Sequence, residues 1–395
     1  MNSVLFVDDD PLMRDLYANL SNVLGKEFLV RIVSRGDEAL KALEKSPADI
    51  VVSDLSMPEM HGGEFLTIVE RLYPGAMRVV ISGKADQLAV ARCLMYGHRY
   101  FMKPLALKEL ATVVSRISRL RGVIHNDRVK QIVGRSDVLP TPPETYLRLT
   151  ELLENNNSQM DEVAEVVESD PALTAKLLQV VNSVAFGFGG GVTTANQAVQ
   201  LAGVEVIRAL LLGLQARSFA EKRLKNRELL SSVWQHSLDT ATRCRAIARI
   251  QGLNTAGQAT CFTAGLLHDI GKLVLAANQE KEYATVVTRA TRERVSLHVK
   301  ELEHYGATHA DIGAYLLGLW GLPDEIVTSV ERHHSLDADL GKKFSPVVCV
   351  HVAQNILSAP ERVAELNESF LKNCKLSTRV PIWEETLRDE VVAFA

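Results

Sequence analysis

Two sets of residues in this chain are of types that do chemistry, at spacings a fold could gather into one place. The first is acidic. Asp8, Asp9 and Asp10 follow the apolar run at 4–7, and Asp54 follows Ile50-Val51-Val52. Ser82 and Lys103 lie at the ends of two further apolar runs, 79–82 and 100–102. Short continuous apolar runs read as buried parallel strands, and the carboxyl ends of such strands are where ligands collect in an open α/β sheet. Carboxylates at adjacent strand ends repel one another unless a cation lies between them, and hard oxygen donors with room for water and phosphate suit Mg²⁺. A lysine beside them would pair with a carboxylate or with an arriving phosphoryl oxygen, and a serine hydroxyl could donate to that oxygen. Asp10, just before Pro11, reads instead as a helix cap.

The second set is histidine-rich: eight of the eleven histidines lie between 236 and 351. His236, the adjacent pair His268-Asp269, His309 and the pair His333-His334 fall in helical patterns. A His-Asp pair joined by histidines from neighbouring helices could hold one or two metal ions, with Zn, Fe, Mn or Mg favoured according to geometry. Lys272, one turn beyond the pair, could meet a substrate phosphate. The competing reading of each histidine is a core residue whose ring nitrogens are satisfied by nearby helix groups.

The elements that must position these residues differ between the two parts of the chain. Up to about residue 120, strands at 4–7, 28–33, 50–53, 79–82 and 100–102 alternate with helices such as 11–24 and 38–44. That pattern predicts an α/β doubly wound five-stranded parallel sheet. An amphipathic helix at 105–122 closes it. The stretch 121–138 has few breakers, so it can prolong that helix into a stiff linker, and the prolines of 139–143 mark a boundary. From 144 onward the periodicity is helical. Residues 168–183 read as a helix capped by Ser169 or Asp170 with Pro171 in its first turn. FGFGGG at 186–191 lacks the lysine and Ser/Thr of a phosphate-binding loop and reads as a turn. EKRLKNRE at 221–228 reads as a solvated helix face, Trp234 and Trp320 as core, and 356–395 as a helical extension packed on the preceding helices.

At 395 residues the chain predicts two domains or slightly more. Its 47% hydrophobic and 23% charged residues are ordinary for a globular protein, and a net charge of −4 argues against a nucleic-acid surface. Five cysteines without CxxC spacing predict free thiols in a reducing compartment. MNSVLFVDDD is unlike a signal peptide, and no apolar run reads as a membrane span, so a cytoplasmic protein with no membrane partner is expected.

VDDDP at 7–11, DLSMP at 54–58, ISG at 81–83 and KP at 103–104 resemble the receiver domain of bacterial response regulators over about the first 120 residues. The resemblance implies a flavodoxin-like fold and phosphorylation of Asp54 by a histidine kinase or phosphotransfer protein. It implies that Asp9 and Asp54 ligate Mg²⁺, with Asp8 acting through water and the Ser56 carbonyl as a further ligand. Ser82 then matches the hydroxyl that turns toward the phosphoryl group, Lys103 the counter-charge and Tyr100 the aromatic switch. His61 stands where that family often has an acid.

LPTPP at 139–143, DPALTAKLLQVVNS at 170–183, AVQLAG at 198–203, HDIGK at 268–272 and GAYLLGLWGLP at 313–323 resemble the HD superfamily, more closely its HDOD branch, over about 131–355. This implies an all-α domain, generally without demonstrated catalysis, that acts in signalling output. The related HD phosphohydrolases, including the cyclic-di-GMP phosphodiesterase branch, use a His…His-Asp…Asp metal set. His236, His268, Asp269, His309, His333 and His334 fit its places. Gln354 stands where the metal-binding families carry an aspartate, and the GYP loop of the phosphodiesterase branch is missing after His333-His334.

The expectation is therefore a response regulator with a receiver at 1–120, a helical linker at 121–138, an HDOD output domain at 139–355 and a helical extension at 356–395. Its output would be contact with an unknown downstream protein, with homodimerisation open. The alternative is a receiver-regulated, metal-dependent phosphohydrolase, for example on a cyclic dinucleotide, with a transition metal in the helical domain.

Overall fold

The computed structural model describes residues 2–25, 27–83, 97–104, 106–124, 126–135, 139, 143–154, 159–183, 191–220, 227–337, 340, 343–356 and 366–394. Five strands, β1 (Asn2–Val7), β2 (Phe28–Val33), β3 (Ile50–Asp54), β4 (Met77–Ser82) and β5 (Arg99–Met102), form one sheet in the order β2-β1-β3-β4-β5. All four pairings are parallel. The apolar runs are buried along β3 and β4, as a strand covered on both faces requires. The order reverses between β1 and β3, so the crevice between their carboxyl ends is the topological switch point. This puts Asp8 and Asp9 beside Asp54. Helices α1 (Pro11–Leu24), α2 (Gly36–Lys45), α3 (Gly62–Leu72) and α4 (Leu107–Val123) flank the sheet. Asp10 caps α1, accepting from the Leu12 amide at 2.9 Å, and His61 caps α3, its Nδ1 accepting from the Gly63 amide at 3.1 Å.

The remainder is helical: α5 (Asp127–Gly134), α6 (Pro143–Glu154), α7 (Met160–Glu168), α8 (Pro171–Val181), α9 (Ala195–Ala220), α10 (Arg227–Ile250), α11 (Thr255–Leu267), α12 (Ile270–Asn278), α13 (Glu280–Glu293), α14 (Leu297–Tyr305), α15 (His309–Trp320), α16 (Asp324–Arg332), α17 (Pro346–Asn355), α18 (Glu368–Asn373) and α19 (Val380–Phe394). Asp170 is the cap of α8. Trp320 and, on the last helix, Trp383 are buried.

Two sequence expectations meet a different outcome. The linker is not one prolonged helix: α4 stops at Val123, Ile124 is extended, and the Asn126 side chain caps α5 by accepting from the Arg128 amide at 2.9 Å. A strong N-cap residue followed by an acid outweighs the absence of glycine or proline. One stretch among the described residues, Thr255–Asn278, is long and apolar enough to cross a membrane by length and composition, but its most apolar 18-residue window is 89% buried, and the stretch is interrupted at His268-Asp269 between α11 and α12. Its apolarity is that of a core helix pair. The FGFGGG turn, apart from Gly191, and most of the 221–228 helix face lie outside the described residues.

Helix α5 is held from both sides. Arg78 of β4 donates from Nη2 to the Gly134 carbonyl at 2.8 Å, Arg128 donates to Gln279 Oε1 at 3.0 Å, and Asn126 donates to the Tyr305 carbonyl.

Candidate functional site

At the switch-point crevice, one carboxylate oxygen each from Asp8, Asp9 and Asp54 lies within 4.8 Å of the others. Lys103, just past β5, places Nζ 2.6 Å from Asp54 Oδ2 and 2.9 Å from Asp8 Oδ2. Asp8 is fully buried, and its Oδ2 also accepts from the Tyr17 hydroxyl at 2.8 Å. The sequence reading missed Tyr17, which lies one helical face away on α1 and carries no motif. Burial and the neighbouring Asp8 push its pKa upward, so it stays a hydrogen-bond donor. Burial works against the Lys103 ammonium, but its hydrogen bonds to Asp54 and Asp8 outweigh that and leave its pKa raised. The Ser56 amide donates to Asp54 Oδ1 at 3.2 Å. Asp54 is in register with Ile81, so Ser82 sits one position beyond it on the neighbouring strand, buried; Tyr100 is buried on β5. Three carboxylates against one ammonium leave an excess of negative charge at a site of hard oxygens. That donor set fits a divalent cation such as Mg²⁺, with Asp8, Asp9 and Asp54 to hold it.

The helical part gathers the second set. His236 of α10, His268 and Asp269 between α11 and α12, His309 at the start of α15, and His333 and His334 just after α16 form two adjoining groups, His236-His268-Asp269 and His309-His333-His334. Asp269 Oδ2 lies 2.6 Å from Lys272 Nζ, 3.4 Å from His268 Nε2 and 3.6 Å from His236 Nε2. Its Oδ1 faces the other group, 3.2 Å from His309 Nε2 and 3.9 Å from His333 Nε2. Lys272 pairs with Asp269 here, as Lys103 does with Asp54 in the acidic crevice. Burial would raise the Asp269 carboxyl, but His268, Lys272 and His309 hold it well below the usual carboxylate range. Burial pushes His268 down to about 4 and His333 well below its ordinary value, so both imidazoles are neutral near pH 7.

The ring orientations are fixed from behind. His268 Nδ1 lies 2.6 Å from the Gly265 carbonyl, His333 Nδ1 2.7 Å from the Val330 carbonyl and His309 Nδ1 2.5 Å from Glu301 Oε2. A ring nitrogen facing a carbonyl or carboxylate carries the proton, which leaves the Nε2 lone pair pointing inward. Glu301 is fully buried and also accepts from the Tyr283 hydroxyl at 2.7 Å. Nothing in the sequence marks Glu301 or Tyr283, because each reads as a polar residue of an amphipathic helix. His309 Nε2 lies 3.0 Å from His334 Nε2 and 3.3 Å from His333 Nε2. Lone pairs facing one another at such distances repel unless a cation lies among them, and a single proton on His309 answers only one contact. His268 Nε2 and Asp269 Oδ1 make no hydrogen bond. These observations fit a metal ion at the Oδ1 face of Asp269. Gln354 donates from Nε2 to the His333 carbonyl at 2.8 Å, and His351 Nδ1 lies 2.8 Å from the same oxygen.

One glycine is required for this convergence. A Cβ on Gly271 of α12 would come within 2.0 Å of the His309 carbonyl. Gly271→Ala will therefore destabilise the chain by about 1–3 kcal/mol or more and shift the start of α15. Urea unfolding should show the loss, and an unchanged midpoint would mean that the two helices do not meet this closely.

The family pattern described as response regulator receiver domain matches residues 4–115, and that described as HDOD domain matches residues 139–336. An uncharacterized protein from Treponema pallidum (strain Nichols) is 26% identical over 205 residues, 52% of this chain but only 39% of that protein's length. Chemotaxis protein CheY from Thermotoga maritima is 27% identical over 117 residues, 29% of this chain and 97% of CheY. The crystal structure of a virulence factor from Campylobacter jejuni subsp. jejuni shares the fold with TM-score 0.51 at 22% identity, over 64% of this chain and 92% of that one.

Proposed function

This chain belongs to the HDOD domain family and carries a response regulator receiver domain ahead of the HDOD domain; from that premise we propose that it is a phosphorylation-controlled switch with Asp54 as the phosphoacceptor. The observation that supports this best is Lys103 bridging Asp54 and Asp8 beside three clustered carboxylates at the switch point. An Asp54 oxygen attacks the phosphorus of a phosphohistidine on a kinase or phosphotransfer protein. The P–N bond breaks and an acyl phosphate forms. A bound Mg²⁺ would offset the charge of the transferred group. Lys103 pairs with the arriving phosphoryl oxygens, and Ser82 and Tyr100 follow on β4 and β5. The helical domain then acts by contact with a downstream protein. Intact-mass measurement after treatment with acetyl phosphate and Mg²⁺ tests the assignment: one added phosphoryl group, located at Asp54, is expected, and its absence or a different location refutes it.

The converging Nε2 atoms favour a second reading for the output. His309, His333, His334 and Asp269 would hold one transition metal, which would act as a Lewis acid toward a phosphate ester and lower the pKa of bound water. Lys272 occupies the opposite oxygen of Asp269, and Gln354 supplies no anion, so this reading is of a single-metal site. Its test is the metal content of the protein, taken up in the Discussion.

A further inference from the structure

The edge strand β5 is only four residues long, and it joins the acidic site to the helical domain. Lys103 follows its carboxyl end. Arg99 opens its amino end and points the other way, across the seam. There Arg99 Nε donates to the Leu319 carbonyl at 3.1 Å, in the last turn of α15, and the guanidinium packs directly over Gly321. Gly321 ends α15 in the left-handed region, with φ 83, and a Cβ there would lie 2.5 Å from Arg99 Nη1. A cation at the carboxyl end of a helix answers carbonyls that the helix cannot satisfy itself. Next to it, Arg116 of α4 pairs with Asp324 at the start of α16, and Gln179 of α8 donates to the His98 carbonyl at 2.9 Å. Tyr100 and Arg99 line one wall of a small cavity, whose other wall is Gln179, Asn182, Ser183 and Trp320.

The far end of α15 is His309. Twelve residues of helix, about 18 Å, therefore separate the Arg99 contact from the histidine cluster. A helix of that length moves as a rigid body more readily than it bends. We propose that this seam is a latch: phosphorylation of Asp54 draws on Lys103, β5 carries the displacement to Arg99, Arg99 leaves the end of α15, and α15 passes the change to His309. The latch rests on the reading of Asp54 as phosphoacceptor.

The direction follows from what holds Arg99. Arg99 sits beside the like charge of Arg116, and the acid that answers both is the exposed Asp324, so the closed arrangement depends on one solvent-facing carboxylate and the Leu319 carbonyl. Arg78, by contrast, anchors the Gly134 carbonyl of α5 from the next strand, so the linker side stays fixed while the β5 side moves.

Linkage makes this testable in the full chain. A contact that must break for the phosphorylated form to be reached disfavours that form, so removing it should favour phosphorylation. With acetyl phosphate and Mg²⁺, Arg99→Gln should raise the steady-state ratio of phosphorylated to unphosphorylated chain by about fivefold or more, and Asp324→Ala should raise it in the same direction. Asp324 has an 87% exposed side chain, so its variant keeps the fold even if Arg99→Gln does not. In the wild type, phosphorylation should speed amide hydrogen exchange at residues 319–322 and leave 130–134 unchanged. Labelling of the wild type with equal labelling of both variants, or unchanged exchange at 319–322, overturns the latch alone. A wild type that takes no label defeats the phosphoacceptor reading, and the latch with it.

Discussion

Asp54→Asn takes up phosphate from acetyl phosphate at less than about one-hundredth of the wild-type level, a loss of roughly 2.7 kcal/mol or more in transition-state stabilisation. The amide keeps the shape of the side chain but offers no anionic oxygen to the phosphorus. It also removes one of the three carboxylates that cluster within 4.8 Å, leaving Lys103 to Asp8 alone. A second measurement follows from that subtraction. Without metal, the variant melts close to the wild type, because the like-charge repulsion that is relieved is offset by the lost Lys103–Asp54 pair. With Mg²⁺ the wild type gains stability by mass action, about 2.7 kcal/mol at a hundredfold excess over Kd, and the variant gains less for want of a ligand. Equal Mg²⁺ stabilisation of the two would remove Asp54 from the cation site.

Asp269→Ala will lose both metal and stability. In the wild type one carboxylate answers Lys272 on one oxygen and faces His309 and His333 on the other. Taking it away leaves a largely buried ammonium without its partner, a change that costs about 3–5 kcal/mol in comparable buried pairs. Asp269→Asn separates the two effects, since it keeps the volume and part of the hydrogen bonding while removing the charge. We expect elemental analysis of wild type exposed to Zn²⁺ or Mn²⁺ and then desalted to give about one metal per chain, the minimum that a single site holds. Both variants should give far less, and urea unfolding should rank alanine below asparagine. A wild type that retains no metal would return the histidines to a structural role.

Much of this was legible in the sequence, for identifiable reasons. The acidic crevice could be read because Asp8, Asp54, Ser82 and Lys103 each end or follow an apolar run, and strand ends in a parallel sheet share one edge. The histidines could be grouped by type and their meeting expected, but only tertiary packing says which nitrogen faces which. Asp269 has two oxygens with different partners, Lys272 on one and His309 on the other, a division that no sequence pattern encodes. Glu301 is fully buried yet sits in LHVKELEHY, which reads as a surface helix. Its role comes from the approach of α14 to α15, a contact that local pattern does not encode. The same is true of Arg78 and Arg99. In sequence they are charges flanking or interrupting strands, and only the position of the helical domain makes each of them a helix-end partner. The linker break is legible in Asn126-Asp127, a strong cap followed by an acid, which outweighs the absence of glycine and proline.

The seam also decides how the molecule can be taken apart. One continuous set of buried apolar side chains runs from the sheet into the helical bundle. A fragment ending after α4 would strip Arg78 and Arg99 of the Gly134 and Leu319 carbonyls and Arg116 of Asp324, gathering three cations on a freshly cut face. Polyanions such as heparin or DNA would bind that face, which the intact chain answers with helix-end carbonyls and Asp324. The complementary fragment would bare Trp320 and clump through it. Affinities measured on either half would then describe the cut rather than the protein.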